Sequence, residues 1–337
     1  MPEARHSNAC AGYRARASEF LPSGLRFARP LADRITRRTG ANPWMTQPMK
    51  ICRFDNGRIG VVEGDIVRDV TGVLDALPAL RWPFPIGDQF IANLDKLLPA
   101  IREAAKTAKS LPLASVKLDS PVANPPRVIA APLNYQLHVA ESSNPAINYG
   151  VHMPSHEGFA TPIDKYGLFL KSQTGLIGAG EKVELHWRDR RNDHEVELGI
   201  IIGKGGKNIT REAALSHVAG YSIALDMVVR GPEDRSWRKS ADTYSVLGPW
   251  LVTADEIADP DSLAFGIEVD GEVRQRSNTK DLIVDVRDLI VRASTIYNLY
   301  PGDIIMTGTP DGVSEVKAGN VMHAWIEKIG EMNVGVR

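Results

Sequence analysis

The most informative segment of this chain is residues 193–203, which read Asp-His-Glu-Val-Glu-Leu-Gly-Ile-Ile-Ile-Gly. Its second half is almost entirely apolar and rich in β-branched residues, a pattern typical of a buried strand. Because side chains alternate along a strand, Glu195 and Glu197 should project from one face and the apolar side chains between them from the other. Two neighbouring carboxylates at the edge of a core are costly unless a cation or a shared proton offsets their charge.

A third carboxylate, Asp226, ends a second apolar segment, residues 218–226. Read as a strand, this segment places Asp226 on a face of small or polar residues. Three carboxylates on such faces of two strands favour an all-oxygen metal site for Mg²⁺, with Mn²⁺ or Ca²⁺ as alternatives. The competing interpretation is that Glu195 and Glu197 line the solvated face of an edge strand.

Composition and charge narrow the class of protein. The chain has 337 residues and a formal net charge of −1, which argues against nucleic acid or an anionic membrane surface as the main partner. No apolar run approaches the ~20 residues that a spanning helix needs, so we expect a cytoplasmic protein. Its cysteines, Cys10 and Cys52, form neither a disulfide framework nor a metal-ligand pattern.

Residues 1–48 differ from the rest, because they contain eight arginines, no lysine and only three acidic residues. Such a leader is typical of an organelle transit peptide, or it is an extension upstream of a true start at Met45 or Met49. We favour the extension and expect it to be disordered and without a role in the chemistry.

Residues 49–120 predict a small β-rich N-terminal domain. The Asp-Asn-Gly turn at 55–57 predicts a hairpin, followed by a third strand over 66–70. A helix is predicted over about 90–109, and Pro99 should kink or split it. Three prolines between 121 and 126 predict a linker into a second domain, residues 127–337.

The second domain carries a candidate acid–base pair near its start. His138 and Glu141 are three residues apart in a segment that turns from loop to helix, so they should share a helix face. A carboxylate there would orient the imidazole and stabilise its protonated form. The alternative is an exposed helical salt bridge. Residues 142–165, rich in Gly, Pro, Ser and Asn, predict a lid over a nearby site.

Taken together, these motifs resemble the fumarylacetoacetate hydrolase family, from about Met49 to Arg337, and in particular its smaller acylpyruvase-, isomerase- and decarboxylase-like members. The residues that carry the likeness, in the family's order and near its spacing, are Leu133-Asn134-Tyr135, His138, Glu141, Phe169-Leu170-Lys171, residues 193–203, 220–230, 239–249, Arg274-Gln275, 277–279 and 301–312.

The resemblance implies a fold and a site. The fold is mainly β with some α, a mixed β-sandwich roll behind a small β-rich domain, and the assembly is a homodimer. The implied residues are Glu195, Glu197 and Asp226 for the metal, His138 and Glu141 as the dyad on a lid that orders with substrate, Lys239 in catalysis, and Arg230, Glu233, Lys239 and Thr309 against substrate. Two departures from the family pattern are Glu233, where the family often has glutamine, and Pro132, where it usually has glycine.

The implied activity is metal-dependent cleavage of a carbon–carbon bond in a small anionic β-diketo or 2-oxo acid, an acylpyruvate or fumarylacetoacetate-like compound, through an enolate that the metal stabilises. Isomerisation of a 2-hydroxymuconate-type dienoate and decarboxylation of oxaloacetate are the alternatives on the same site. A non-catalytic binding protein that retains the fold is a further alternative.

Overall fold

The structure, a computed structural model, describes residues 49–144 and 156–337. The predictions for residues 1–48, and for residues 145–155 of the expected lid, lie outside the described residues.

Strands dominate the described part of the chain. The strands are β1 (Lys50–Phe54), β2 (Arg58–Glu63), β3 (Ile66–Asp69), β4 (Ser110–Pro112), β5 (Leu118–Asp119), β6 (Val128–Ala130), β7 (Phe169–Lys171), β8 (Leu176–Ile177), β9 (Lys182–Val183), β10 (Asn192–His194), β11 (Val196–Ile202), β12 (Val218–Asp226), β13 (Val228–Val229), β14 (Ser245–Thr253), β15 (Ala264–Val269), β16 (Glu272–Asn278), β17 (Ile304–Met306), β18 (Ser314–Glu315), β19 (Val321–Ile326) and β20 (Gly330–Val336). The α-helices are α1 (Gln89–Ala92), α2 (Leu94–Thr107), α3 (Gln136–Ser142), α4 (Pro162–Tyr166), α5 (Arg235–Lys239) and α6 (Val286–Ile296).

A twelve-stranded mixed sheet forms the centre of the molecule, in the order β4-β3-β2-β1-β14-β12-β11-β17-β6-β7, with β5 beside β1 and β8 beside β14. Every residue of β11, β12 and β14 is buried, which explains their nearly continuous apolar sequences. The predicted mainly β fold with some helix is therefore confirmed.

Two smaller sheets complete the β structure. One is five-stranded, in the order β16-β15-β19-β20-β9, and the other is three-stranded, in the order β13-β10-β18. The five-stranded sheet reaches the central one where the Trp250 indole on β14 donates a hydrogen bond to the carbonyl of Ile329, at 2.8 Å. The three-stranded sheet holds β10, which leads directly into β11, and so supports the start of the segment that carries the acidic residues.

The N-terminal strands join the central sheet directly, because β1 pairs with β14 in antiparallel register, Ile51 opposite Leu251. Strands that precede the proline-rich segment at 121–126 and strands that follow it therefore belong to the same sheet. The division of the chain into two domains there stays a prediction.

Local sequence signals explain most element boundaries. The β1–β2 hairpin turns at Asp55, Asn56 and Gly57, which all have positive φ, and Asn and Gly tolerate that conformation best. The predicted helix over 90–109 is split, but at Asn93 between α1 and α2, and Pro99 lies inside α2. None of the helices in the described ranges is long and apolar enough to cross a membrane.

Candidate active site

Three buried carboxylates meet where β11 and β12 pair. Glu195 lies between β10 and β11, Glu197 is in β11, and Asp226 is the last residue of β12. The antiparallel register sets Val196 opposite Leu225, and the amide of Asp226 donates to the carbonyl of Glu195 at 2.9 Å. One oxygen from each carboxylate lies within 4.8 Å of those from the other two. The alternation of side chains along both strands thus brings together the three predicted ligands.

Two buried lysines compensate part of this negative charge. The Lys239 ammonium donates to Glu195 Oε2 and to Asp226 Oδ2, both at 2.7 Å. Lys171, at the end of β7, donates to Asp226 Oδ1 and to the carbonyl of Tyr244, the latter at 2.7 Å. Burial lowers the pKa of Lys171, whereas the two carboxylates outweigh burial at Lys239 and raise its pKa.

Within residues 49–144 and 156–337, no lysine or arginine forms an ion pair with Glu197, and its Oε2 accepts a hydrogen bond from the amide of Gly308 at 2.6 Å. Burial, Asp226 and Glu195 together raise the pKa of Glu197 well above its ordinary value. At Glu195 burial acts in the same direction, but Lys239, Arg230 and His138 outweigh it and lower the pKa to about 2. Three buried carboxylates this close together, with burial and mutual repulsion raising the pKa of one of them, form a site that suits a hard cation. The donor set fits Mg²⁺ or Mn²⁺.

The predicted acid–base pair lies on the same cavity. His138 and Glu141 are in α3, and His138 Nδ1 lies 2.9 Å from Glu141 Oε2. Glu141 Oε1 accepts a second hydrogen bond, from the amide of Gly312 at 3.0 Å, which fixes the carboxylate. Both side chains are largely covered, 11% and 15% exposed, so the exposed surface pair that the sequence allowed does not describe them.

The predicted substrate contacts divide into two groups. Arg230 and Thr309 line the cavity together with Lys239. Arg230 is held by Asp193, Nε to Oδ2 at 2.7 Å, and the Thr309 hydroxyl donates to the carbonyl of Val196 at 2.9 Å. Glu233 is not among the lining residues: its carboxylate pairs in a bidentate manner with Arg190, at 2.7 and 3.0 Å. A direct contact between Glu233 and substrate stays a prediction.

Several side chains at the site had no assigned role in the sequence analysis. These are Lys171, Arg191, Asp193, Arg235 and Arg238, and all except Lys171 line the cavity. The spacing of Arg235, Arg238 and Lys239, at i, i+3 and i+4, is the signal that points to a shared helix face. Lys171 gives a weaker signal, a lysine that closes a short strand, and the structure buries it completely.

The cavity measures about 780 Å³, counting the part open to solvent. It brings together seven of the nine site residues predicted from the sequence, namely His138, Glu141, Glu195, Asp226, Arg230, Lys239 and Thr309. Glu197 joins them through the carboxylate cluster. A cleft with a cation site, a paired imidazole and several basic groups is suited to polarising and hydrolysing a small anionic carbonyl compound.

Comparison with known proteins agrees with this chemistry. A profile of the fumarylacetoacetate hydrolase C-terminal family matches residues 127–337. The chain is 53% identical over 290 residues to a maleylpyruvate hydrolase of Aquipseudomonas alcaligenes, and the match covers 86% of this chain and 99% of that protein. It is 34% identical over 303 residues to a 2,4-didehydro-3-deoxy-L-rhamnonate hydrolase of Sphingomonas sp. (strain SKA58), covering 84% of this chain and 94% of the relative.

A solved structure is also similar. It is the crystal structure of maleylpyruvate hydrolase from Sphingobium sp. SYK-6 in complex with manganese(II) ion and pyruvate, with a TM-score of 0.71 and 38% identity. The match covers 86% of this chain and 98% of that one.

Proposed function

Because this chain belongs to the fumarylacetoacetate hydrolase family, we propose that it is a divalent-metal-dependent hydrolase that cleaves a carbon–carbon bond of an acylpyruvate such as maleylpyruvate. The relative that is 53% identical carries that activity in its name, and a similar crystal structure holds manganese and pyruvate. Pyruvate is one of the two products that hydrolysis of an acylpyruvate releases.

The observation that carries the proposal is a single cavity that joins three kinds of group. It holds the carboxylates of Glu195 and Asp226, the His138–Glu141 pair and the cations Arg230 and Lys239. Each kind has a task in acylpyruvate hydrolysis: a cation site for the 2-oxo acid, a base for water, and positive charge for the carboxylate.

Glu195, Glu197 and Asp226 are the residues that would hold the divalent cation. When bound, the cation supplies Lewis acidity toward the oxygen atoms of the 2-oxo acid. Arg230 and Lys239 would anchor and orient the anionic end of the substrate, since hydrogen bonds between charged partners are the strongest available to it.

His138 is the group that would accept a proton from water. Its Nδ1 is engaged by Glu141, so Nε2 is the nitrogen left to act as a base. The water oxygen then bonds to the acyl carbonyl carbon, and the bond from that carbon to the methylene group breaks. The electron pair stays on the methylene carbon, which takes a proton back, so that one water yields a carboxylic acid and pyruvate.

The test is product analysis by NMR with purified enzyme and three substrates: an acylpyruvate, oxaloacetate and a 2-hydroxymuconate. We expect stoichiometric pyruvate and carboxylic acid from the acylpyruvate with Mn²⁺ or Mg²⁺, and loss of that activity in excess chelator. Release of carbon dioxide from oxaloacetate as the main reaction, or an isomer of the hydroxymuconate formed without addition of water, would instead identify a decarboxylase or an isomerase.

A further inference from the structure

The short helix α5 places three cations on one wall of the cavity. Arg235, Arg238 and Lys239 are spaced at i, i+3 and i+4, so they share a face, and all three line the cleft. The centroid of the Phe169 ring lies 5.2 Å from the Arg235 guanidinium carbon and 5.7 Å from Lys239 Nζ. The helix therefore extends positive charge beyond the residues that meet the acidic cluster.

Arg238 differs from Lys239 in what it contacts. It is only 4% exposed, and its guanidinium donates to two main-chain carbonyls, those of Glu233 at 2.9 Å and Val229 at 3.4 Å. Within residues 49–144 and 156–337, no carboxylate forms an ion pair with it.

The acidic groups of the cavity have other partners. Asp193 pairs with Arg191 and Arg230, while Asp226 is shared by Lys171 and Lys239. Glu195 pairs with Lys239 and Arg230, and Glu141 with His138. Arg238 thus lines the cleft as a buried positive charge that forms no ion pair with any carboxylate of the described residues.

A buried guanidinium without a counterion is energetically unfavourable. Burial and the neighbouring positive charges of Arg230 and Arg235 lower the pKa of Arg238, and the carboxylates of Glu195 and Glu233 offset this only in part. An anionic group of the ligand would offset the energetic cost of burying this guanidinium. The planar fork of an arginine suits a carboxylate in particular, because it offers two parallel hydrogen bonds.

We infer that Arg238, with Arg235 one turn earlier on α5, forms a subsite for a second carboxylate, carried by the acyl half of the substrate. This inference rests on the proposed function and specifies its substrate class: acylpyruvates that are dicarboxylates, in preference to those that end in a neutral group. Lys239 and Arg230 bind the carboxylate of the pyruvate half, so α5 contributes residues that contact both ends of the ligand.

The experiment compares two acylpyruvates of equal length, one ending in a carboxylate and the other in the carboxamide. For the wild-type enzyme we expect kcat/KM to be at least about 10²-fold higher for the carboxylate, from one buried charge-assisted contact. In Arg238→Met this ratio should fall by about 10- to 100-fold, and Arg238→Lys should give an intermediate ratio. Arg68→Met, on β3 and outside the cavity, is the matched control for loss of one positive charge, and its ratio should stay at the wild-type value.

The outcomes separate the subsite from the reaction. If the wild-type enzyme hydrolyses both compounds with similar kcat/KM, or if Arg238→Met lowers both equally, the subsite is wrong while acylpyruvate hydrolysis stands. If neither compound is hydrolysed, the proposed function itself is wrong. Should Arg238→Met fail to fold, the wild-type ratio together with Arg238→Lys and Arg235→Met decides the question, and unchanged ratios in both variants overturn the subsite.

Discussion

His138 illustrates how much of a residue's role comes from its partners. Its imidazole is fixed through Nδ1 by Glu141, and Glu141 is fixed in turn by the amide of Gly312, 171 positions away in sequence. The sequence predicts the first contact because it is local. The second joins α3 to the loop before β18, and it is this contact that aims the pair into the cavity.

If His138 is the proposed base, His138→Ala should lower kcat by about 10²–10⁴-fold while Mn²⁺ affinity changes little, since His138 is not among the three proposed ligands. Steady-state kinetics at saturating Mn²⁺ and a direct Mn²⁺ titration measure the two quantities. His323→Ala, on β19 and away from the cleft, is the matched control. A variant that keeps more than half of the wild-type kcat would remove His138 from the mechanism.

At the level of elements, sequence reasoning succeeds where the signal is local. The bounds predicted for β12, residues 218–226, agree with the structure. An apolar run that ends at a buried acid leaves little freedom in where the strand can begin and end. The helix over 90–109 shows the reverse. Its break lies at Asn93, and the start of α1 is fixed by Asp88, which caps α1 and also accepts hydrogen bonds from the amides of Ala123 and Asn124. No local pattern around Pro99 reveals that tertiary contact.

The turn before β17 contains a carboxyl group whose protonation state should affect the free energy of unfolding. Asp303 is fully buried, its Oδ2 accepts from Arg127 and from the amide of Tyr300, and its Oδ1 has no hydrogen-bond partner in the described part of the chain. Burial raises the pKa of Asp303 from 3.8 to about 6. The folded protein therefore keeps a proton there that the unfolded chain releases at lower pH, so this residue destabilises the fold as pH rises from about 4 to 7.

Asparagine imitates the protonated side chain, so Asp303→Asn should gain stability relative to wild type by about 2 kcal/mol between pH 4 and pH 7. Urea denaturation of both proteins at the two pH values measures the difference. Other titrating groups contribute equally to both proteins and cancel. A difference that is constant, or that shrinks with rising pH, would mean that Asp303 is ionised throughout this range.

Across the whole molecule, the site combines predictable and unpredictable parts. The carboxylates follow from strand alternation at Glu195 and Glu197 and from the end of β12. Lys171 reaches Asp226 across 55 positions of sequence, and Arg190 reaches Glu233 across 43. Such contacts depend on which strands become neighbours, so the charge balance around the acidic cluster emerges only from the assembled sheet.

Because of this assembly, we expect a bound divalent cation to stabilise the fold. The three acidic residues lie at the junction of β11 and β12, in the interior of the twelve-stranded sheet, and they converge only when those strands pair. A ligand that binds only the folded state at about 100 times its Kd stabilises it by ~2.7 kcal/mol, or about 5 °C in Tm for a domain of this size. Thermal unfolding in Mn²⁺ and in chelator measures this shift.

That measurement distinguishes an ion bound at the carboxylate cluster from a general effect of the ion on stability. Glu197→Gln combined with Asp226→Asn should abolish the shift, whereas Glu103→Gln, an exposed position on α2, should preserve it. An equal rise in Tm for all three proteins would place the ion elsewhere on the chain. No rise in the wild type, at Mn²⁺ concentrations that support turnover, would mean that the folded apoenzyme gains no stability from the cation.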